Sequence, residues 1–324
     1  MSNNPIIIIC GEPNSVFSEI IYKSFRKFNK KRPIILIGSQ KLLSAQFKKI
    51  GLKLDLNLVN FTNKKIVNLN RNLLNIFNID YKFSKPFEKI SSKSNKYLTK
   101  CFEKAFFILN NTQIKGLING PISKKYFLKN KYQGVTEYIS KKFKIKNFSM
   151  LIYNKDLSVS PITTHLPISK VSKMIEKKII ISKVLLISDF YKKYFFKKPR
   201  IAITGLNPHC ENFFKLSEET KIIKPALKIL KNKKIDIKGP FPADTIFLKQ
   251  NTKKFDVVVG MYHDQVLAPI KALYNFNAIN ITLGLPFLRV SPDHGPNYNM
   301  IGKNKSDPQS LIDAIKFLDK IKWY

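Results

Sequence analysis

The sequence predicts an α/β protein built on a largely parallel sheet, and three observations carry that expectation. Short apolar, β-branched runs recur along the 324 residues, with helical patterns between several of them. Three of the four histidines follow such runs: His165 after Leu157 to Ile162, His209 after Ile201 to Ile203, and His263 after Val257 to Val259. Glycines such as Gly11, Gly120, Gly205 and Gly284 stand in or beside the loops that end the runs. Alternation of this kind places helices on the faces of a parallel sheet, whose ligands bind beyond the carboxyl ends of the strands.

The opening reads as a βαβ unit. Ile6 to Cys10 is a buried strand, Gly11-Glu12-Pro13-Asn14 a turn, and Ser15 to Phe28 a helix with Ser15 as its N-cap. Val16, Phe17, Ile20, Ile21, Phe25 and Phe28 fall at helical spacing, and Ile34 to Ile37 is the next strand. Asn60 to Ser94 is polar and carries no clear pattern. Beyond it, strands are expected at 116–118, 150–153, 159–162, 200–203, 235–237, 256–259 and 278–281. Helices are expected over Ile168 to Tyr194, Glu218 to Lys231 and Pro308 to Leu318.

Composition narrows the function classes. The 44% apolar content suits a large folded core, and no run approaches the roughly 18 apolar residues of a membrane span. Ile6 to Cys10 has no positive charge before it and no small-residue cleavage site after it, so a cytoplasmic protein is expected. Cys10, Cys101 and Cys210 are odd in number and lack C-x-x-C spacing, which argues for reduced, buried thiols. A net charge of +37 raises nucleic-acid binding, but the lysines are strewn as singles and pairs with Asn and Ile. They form no aromatic-interleaved stripe, so no specific nucleic-acid partner is expected and a solvated basic surface that attracts anions is. There is no G-x-G-x-x-G, so a dinucleotide is not held by that fingerprint.

Several constellations carry chemistry. Imidazoles converging from separate strand ends can hold a divalent metal with a position open for substrate; spacing alone leaves hydrogen-bonded caps as the other reading. Asp264 and Gln265 follow His263, and Lys271 lies eight residues beyond it, so metal-ligand, acid and cation types cluster. Asn280 to Gly295 is turn-rich, and Arg289 behind its Gly-x-Pro turn is either an anion grip or a surface arginine. In Gly239-Pro-Phe-Pro-Ala-Asp244-Thr245, Asp244 is a functional carboxylate or a helix cap. Asn119-Gly-Pro-Ile-Ser-Lys124 and Gly134-Val-Thr136-Glu137 offer phosphate donors or caps at a loop-to-helix junction.

These motifs, with Thr164-His-Leu-Pro167, Gly205-Leu-Asn-Pro-His209, Met261-Tyr-His-Asp-Gln265, Asn280-Ile-Thr-Leu-Gly-Leu-Pro-Phe287 and Asp293-His-Gly295, occur in an order that resembles the 4-hydroxythreonine-4-phosphate dehydrogenase family. The resemblance is dense over the last two thirds and weak over the first. It implies a two-domain α/β/α sandwich of the isocitrate and isopropylmalate dehydrogenase-like type, with the active site in an interdomain cleft completed by the partner of a homodimer. Residues 1–120 plus 281–324 would form the cofactor-side domain, and 121–280 the domain of metal, substrate contacts and dimer interface. The implied reaction is metal-dependent oxidation of 4-phosphooxy-L-threonine by NAD or NADP, followed by decarboxylation, in vitamin B6 synthesis. His165, His209 and His263 match the family's ligands for zinc, magnesium or cobalt, with one expected from the partner subunit. Thr136, Lys271, Asn280 and Arg289 match its substrate contacts, and His294 and Gly295 fall on the cofactor side. Asp244, Asp264 and Lys271 are the candidates for orienting ligands or moving a proton.

Three departures bear on substrate choice. Val135 stands where the family usually has His, and Cys210-Glu-Asn-Phe-Phe-Lys-Leu-Ser217 replaces a glycine-rich loop with the bulky Phe213 and Phe214. The small residues expected after Gly11-Glu-Pro13 are Asn14, Ser15, Val16 and Phe17, and Asp293-His-Gly295 continues as Pro296-Asn-Tyr-Asn299. A sister dehydrogenase acting on threonate or erythronate 4-phosphate is therefore the alternative. A nucleic-acid-binding protein that keeps an enzyme fold rests on the charge alone.

Overall fold

The computed structural model describes residues 4–27, 32–128, 131–210, 216–275, 278–292 and 295–322. In chain order its strands are β1 Ile6–Ile9, β2 Ile34–Gly38, β3 Leu56–Leu58, β4 Asn60–Thr62, β5 Lys65–Val67, β6 Leu74–Asn78 and β7 Gly116–Asn119. They continue as β8 Ser149–Tyr153, β9 Ser158–Pro161, β10 Ile201–Thr204, β11 Ile237–Phe241, β12 Val257–Gly260, β13 Ile279–Leu283 and β14 Leu288–Pro292. The helices used below are α1 Phe17–Lys27, α2 Gln40–Lys49, α3 Asn95–Asn111, α4 Val135–Lys142, α5 Lys177–Phe195, α6 Lys224–Asn232, α7 His263–Tyr274 and α8 Gln309–Lys320. The chain divides into two units, Met1–Ile139 with Pro286–Tyr324, and Ser140–Leu285.

In the first unit the strand order is β14-β7-β1-β2-β6-β3, all parallel. β1 is four isoleucines with no exposed surface, as a strand covered on both faces requires. α1 buries Phe17, Ile20 and Ile21 and ends on Arg26 and Lys27, which complement the helix dipole. α2 is capped by Ser39, whose side chain accepts from Leu42 N at 3.3 Å. Behind the sheet, Phe102 of α3 lies 5.7 Å from Phe106, 5.7 Å from Phe127 and 5.2 Å from Tyr138 between ring centroids. In the second unit the order is β11-β10-β12-β9-β8-β13; β11 to β9 are parallel, and β8 runs antiparallel to both its neighbours. Val159, Ala202, Val258, Val266 and Ile270 pack there into one core between sheet and α7.

The alternating α/β architecture with a largely parallel sheet is as expected, and four local readings change. The expected helix Ile168 to Tyr194 is interrupted, because Ile175 turns extended and is buried at 2% exposure before α5 begins. The strand expected at Ile235 starts at Ile237, since Lys234 adopts φ +60° and Ile235 N bonds back to Leu230 O to close α6. The polar stretch after Asn60 contains the β4–β5 hairpin, turned by Asn63 and Lys64 at φ +50° and +58°, and the buried strand β6. Arg289, read from sequence behind a turn as either an anion grip or a surface arginine, is buried in β14 opposite Leu117 of β7. No helix among the described residues is long and apolar enough to cross a membrane.

The Phe102 cluster fixes α3 against the region that leads into α4. Phe102→Ala should cost about 3–5 kcal/mol, read as a lower urea midpoint, and an unchanged midpoint would contradict this packing account.

Candidate active site

The second unit places the three histidines on adjacent parallel strands. β10, β12 and β9 are consecutive in the sheet, and His209, His263 and His165 each follow the carboxyl end of one of them. The His165 and His263 rings come within 5.7 Å of each other, centroid to centroid. His263 opens α7, and its Nδ1 lies 2.7 Å from Asp264 Oδ1. With Nδ1 protonated it donates to that carboxylate and leaves the Nε2 lone pair as the ring's acceptor. His209 Nδ1 lies 3.8 Å from Asp244 Oδ2, and both side chains are largely exposed. They border a cavity of about 360 Å³ whose wall includes Asn207, Tyr262 and Gln265.

His209 and Cys210 adopt φ +55° and +56°, a region that side chains with a Cβ enter at a cost. The loop is held by Glu219, which has no exposed surface. One Glu219 oxygen accepts from Leu206 N at 2.7 Å and Asn207 N at 2.9 Å, and the other accepts from Asn207 Nδ2 at 2.9 Å. Burial pushes this carboxyl up, but the hydrogen bonds from Asn207 and Leu206 outweigh it and hold it below the usual value. Sequence reasoning gave Glu219 no role. The signal was Glu218-Glu219, a pair of acids close after the histidine loop in a chain with only 21 acidic residues against 58 basic ones.

The donors fit a divalent ion in kind, since imidazoles and carboxylates are ligands for zinc and its neighbours. The structure brings His165 to His263 and His209 to Asp244. No group of three such side chains closes into one cluster among the described residues. Lys271 is exposed on α7, and Asn280 is half-buried on β13. Asn280 Oδ1 is a buried acceptor with no hydrogen-bond partner among the described residues.

The first unit gathers polar side chains around a buried arginine. Arg289 is 3% exposed; its Nε donates to Asn119 Oδ1 at 2.7 Å and its Nη1 to Thr136 Oγ1 at 3.0 Å. Asn119 ends β7 and Thr136 lies in the first turn of α4, so three elements converge on one guanidinium. Burial pulls its pKa down to about 10, with Glu137 opposing, so it stays cationic at neutral pH. Gly295 is exposed, and an added Cβ there would meet nothing within 4 Å. His294 lies outside the described residues, as do Asp293, Phe213 and Phe214.

Such a chain is a two-unit α/β protein with titratable side chains at the carboxyl ends of parallel strands. Residues 29–318 match the model for pyridoxal phosphate biosynthetic protein PdxA, and the chain belongs to that family. It is 38% identical over 322 residues to a 4-hydroxythreonine-4-phosphate dehydrogenase from Sulfurihydrogenibium sp. (strain YO3AOP1), covering 98% of each chain. It is 28% identical to a D-threonate 4-phosphate dehydrogenase from Pectobacterium atrosepticum, covering 96% of this chain and 97% of the other. The 4-hydroxythreonine-4-phosphate dehydrogenase structure from Klebsiella pneumoniae superposes with TM-score 0.82 at 26% identity, covering 97% and 98%. Isocitrate dehydrogenase from Methylococcus capsulatus superposes with TM-score 0.50 at 10% identity over 97% of this chain and 84% of that one, a likeness of fold alone. The expected family and fold type both stand.

Glu12, in the turn after β1, is 1% exposed; one of its oxygens accepts from Ser94 Oγ at 2.9 Å, and burial raises its pKa to about 7. The folded chain thus keeps a proton that the unfolded chain releases near 4.5, so this group lowers stability as pH rises from about 4.5 to about 7, and the loss is complete above that. Glu12→Gln, which preserves an acceptor for Ser94, should flatten the fall of the urea midpoint across that window. Equal slopes for the two proteins would contradict a buried, protonated Glu12.

Proposed function

We propose that the chain oxidises 4-phosphooxy-L-threonine at C3, with NAD or NADP as hydride acceptor. The product, 2-amino-3-oxo-4-phosphooxybutanoate, loses carbon dioxide to give 3-amino-2-oxopropyl phosphate in vitamin B6 synthesis. The observation that carries this reading is the full-length match to relatives bearing that enzyme's name. Dehydrogenases of a CH-OH group need an acceptor for the hydride and a base for the hydroxyl proton.

His165, His209 and His263 would hold a divalent ion, zinc, magnesium or cobalt, with one of these ligands supplied across a homodimer. When bound, the ion supplies Lewis acidity for oxidation and decarboxylation. Asp264 orients His263 through its 2.7 Å contact, and Asp244 stands by His209; with Lys271 they are the groups assigned to orientation and proton movement. Arg289 and Thr136 take an anionic group of the substrate, and Lys271 and Asn280 contact the rest. Support comes from the unpartnered Asn280 oxygen and from the convergence on Arg289. His294 and Gly295 are assigned to the cofactor. The cysteines are free and buried, which agrees with a cytoplasmic, reducing compartment.

Oxidation of threonate or erythronate 4-phosphate is the second reading. It is favoured by Val135, which sits next to Thr136 at the start of α4 in place of the family's usual His, and by the D-threonate 4-phosphate relative.

The deciding assay is formation of NADH or NADPH with 4-phosphooxy-threonine beside the two sister substrates. Turnover should vanish on chelation and return with zinc, magnesium or cobalt, and His209→Ala should abolish it without loss of fold. Metal-independent turnover would remove the histidine assignment, and preference for threonate 4-phosphate would establish the second reading. Arg289→Met should raise KM for the phosphorylated substrate about 10-fold or more, as loss of a charge-assisted pair implies, and an unchanged KM would remove Arg289 from substrate binding.

A further inference from the structure

The loops bearing the three histidines are tied together by a buried chain of hydrogen bonds. At its centre is Gln265, 7% exposed, on the first turn of α7. Its Nε2 donates to Gly205 O at 2.8 Å, at the carboxyl end of β10. Its Oε1 accepts from Thr204 Oγ1 at 2.8 Å and from Met261 N at 2.6 Å, at the carboxyl end of β12. The other side of Met261 continues the chain: its carbonyl accepts from Thr163 N at 3.1 Å and Thr163 Oγ1 at 2.8 Å, two residues before His165. On the far side of Gly205, Leu206 and Asn207 are gripped by Glu219, two residues before His209.

Both strand-end glycines leave room for this arrangement. A Cβ on Gly205 would approach Cys210 Sγ to 2.6 Å and Glu219 Oε1 to 3.0 Å, and one on Gly260 would come within 3.1 Å of Gln265 Oε1. Parallel pairing of β10, β12 and β9 brings their ends together but leaves each loop free to pivot beyond its last ladder bond. The amide of Gln265 removes that freedom for two loops at once, and Met261 passes the constraint to the third.

We propose that Gln265 and Glu219 are positioning residues that fix the His165, His209 and His263 loops of one chain, and so set the direction from which each of these histidines meets an ion. Gln265 suits the central place because a neutral amide both donates and accepts, whereas a carboxylate at that position would face Gly205 O with no proton to give. The inference rests on the three-histidine reading above.

The test is titration of Co(II) into metal-free full-length protein without substrate, followed by its visible absorption bands, with thermal unfolding recorded in parallel. Gln265→Met should lower Co(II) affinity about 10-fold and shift the bands, since it leaves Gly205 O, Met261 N and Thr204 Oγ1 without their shared partner. Glu219→Gln, which keeps an acceptor for Leu206 N and Asn207 N but loses the charge and turns an amide donor toward Asn207 Nδ2, should weaken Co(II) binding in the same direction by less, and wild-type affinity and spectrum in it remove Glu219 from the brace. Thr204→Val, which removes one donor from the Gln265 oxygen, should weaken binding in the same direction by less, and it decides the matter where Gln265→Met does not fold. Wild-type affinity and spectrum in Gln265→Met, or in Thr204→Val when it decides, overturn the brace while leaving the histidines as ligands. Wild-type protein that takes up no Co(II) overturns the three-histidine reading itself, and the brace with it.

Discussion

Parallel pairing of β10, β12 and β9 is the constraint from which the candidate site follows. The register sets Ile201 opposite Val257 and Val257 opposite Ser158, so the three strands run in step and finish at one edge of the second unit's sheet. Strands buried on both faces tolerate little but small apolar residues, and Val257, Val258 and Val259 have no exposed surface. Exposed polar side chains therefore appear at or beyond the carboxyl ends, whereas polar groups within the strands, such as Ser158 and Ser160 of β9, are buried with hydrogen-bond partners. In the first unit Asn119 likewise ends β7 and Glu12 follows β1. An added Cβ on Gly11 would collide with the Pro121 carbonyl, and one on Gly120 would come within 2.5 Å of Cys10 O, so close approach of those two turns requires glycine at both.

Much of this was legible because burial writes itself as periodicity. The isoleucines of β1 and β2, the valines of β12 and the amphipathic pattern of α1 carry their structure locally, and histidine after a β-branched run locates a strand end without tertiary information. Other elements depend on distant partners. Residue 289 reads as one polar position among prolines and glycines, and only pairing of β14 with β7 makes it a buried strand residue beside Asn119 and Thr136. The β4–β5 turn uses Asn63 and Lys64 where a hairpin signal would show Asn-Gly. Gln265 and Glu219 drew no role from the sequence: the motif after His263 and the paired acids Glu218-Glu219 were their only local signals, and their hydrogen-bond partners lie on other elements.

The charge of the chain divides in a similar way. Most of its 58 basic residues lie dispersed along the sequence, where exposed ion pairs contribute little to stability. Arg289 differs by being nearly inaccessible, oriented by two side chains, and held cationic against a burial effect that lowers its pKa to about 10. Removing a guanidinium from water is costly unless hydrogen bonds and a charge partner accompany it. The Asn119 and Thr136 acceptors satisfy part of it, and Glu137 opposes the loss of its proton.

Magnitudes explain why the His209 loop needs Glu219. Left-handed backbone at both His209 and Cys210 costs about 1–2 kcal/mol for each residue. Hydrogen bonds to a charged acceptor contribute about 1.5–3 kcal/mol each, and Glu219 receives three from Leu206 and Asn207. One such bond would only balance the strain, whereas three outweigh it and hold the loop in a conformation it would otherwise leave. The side chains that hold the geometry, Glu219, Gln265 and Asn119, are buried, while His165, His209, Asp244 and Lys271 are exposed. That separation leaves the exposed groups reachable from solvent while the bonds that hold their loops stay buried.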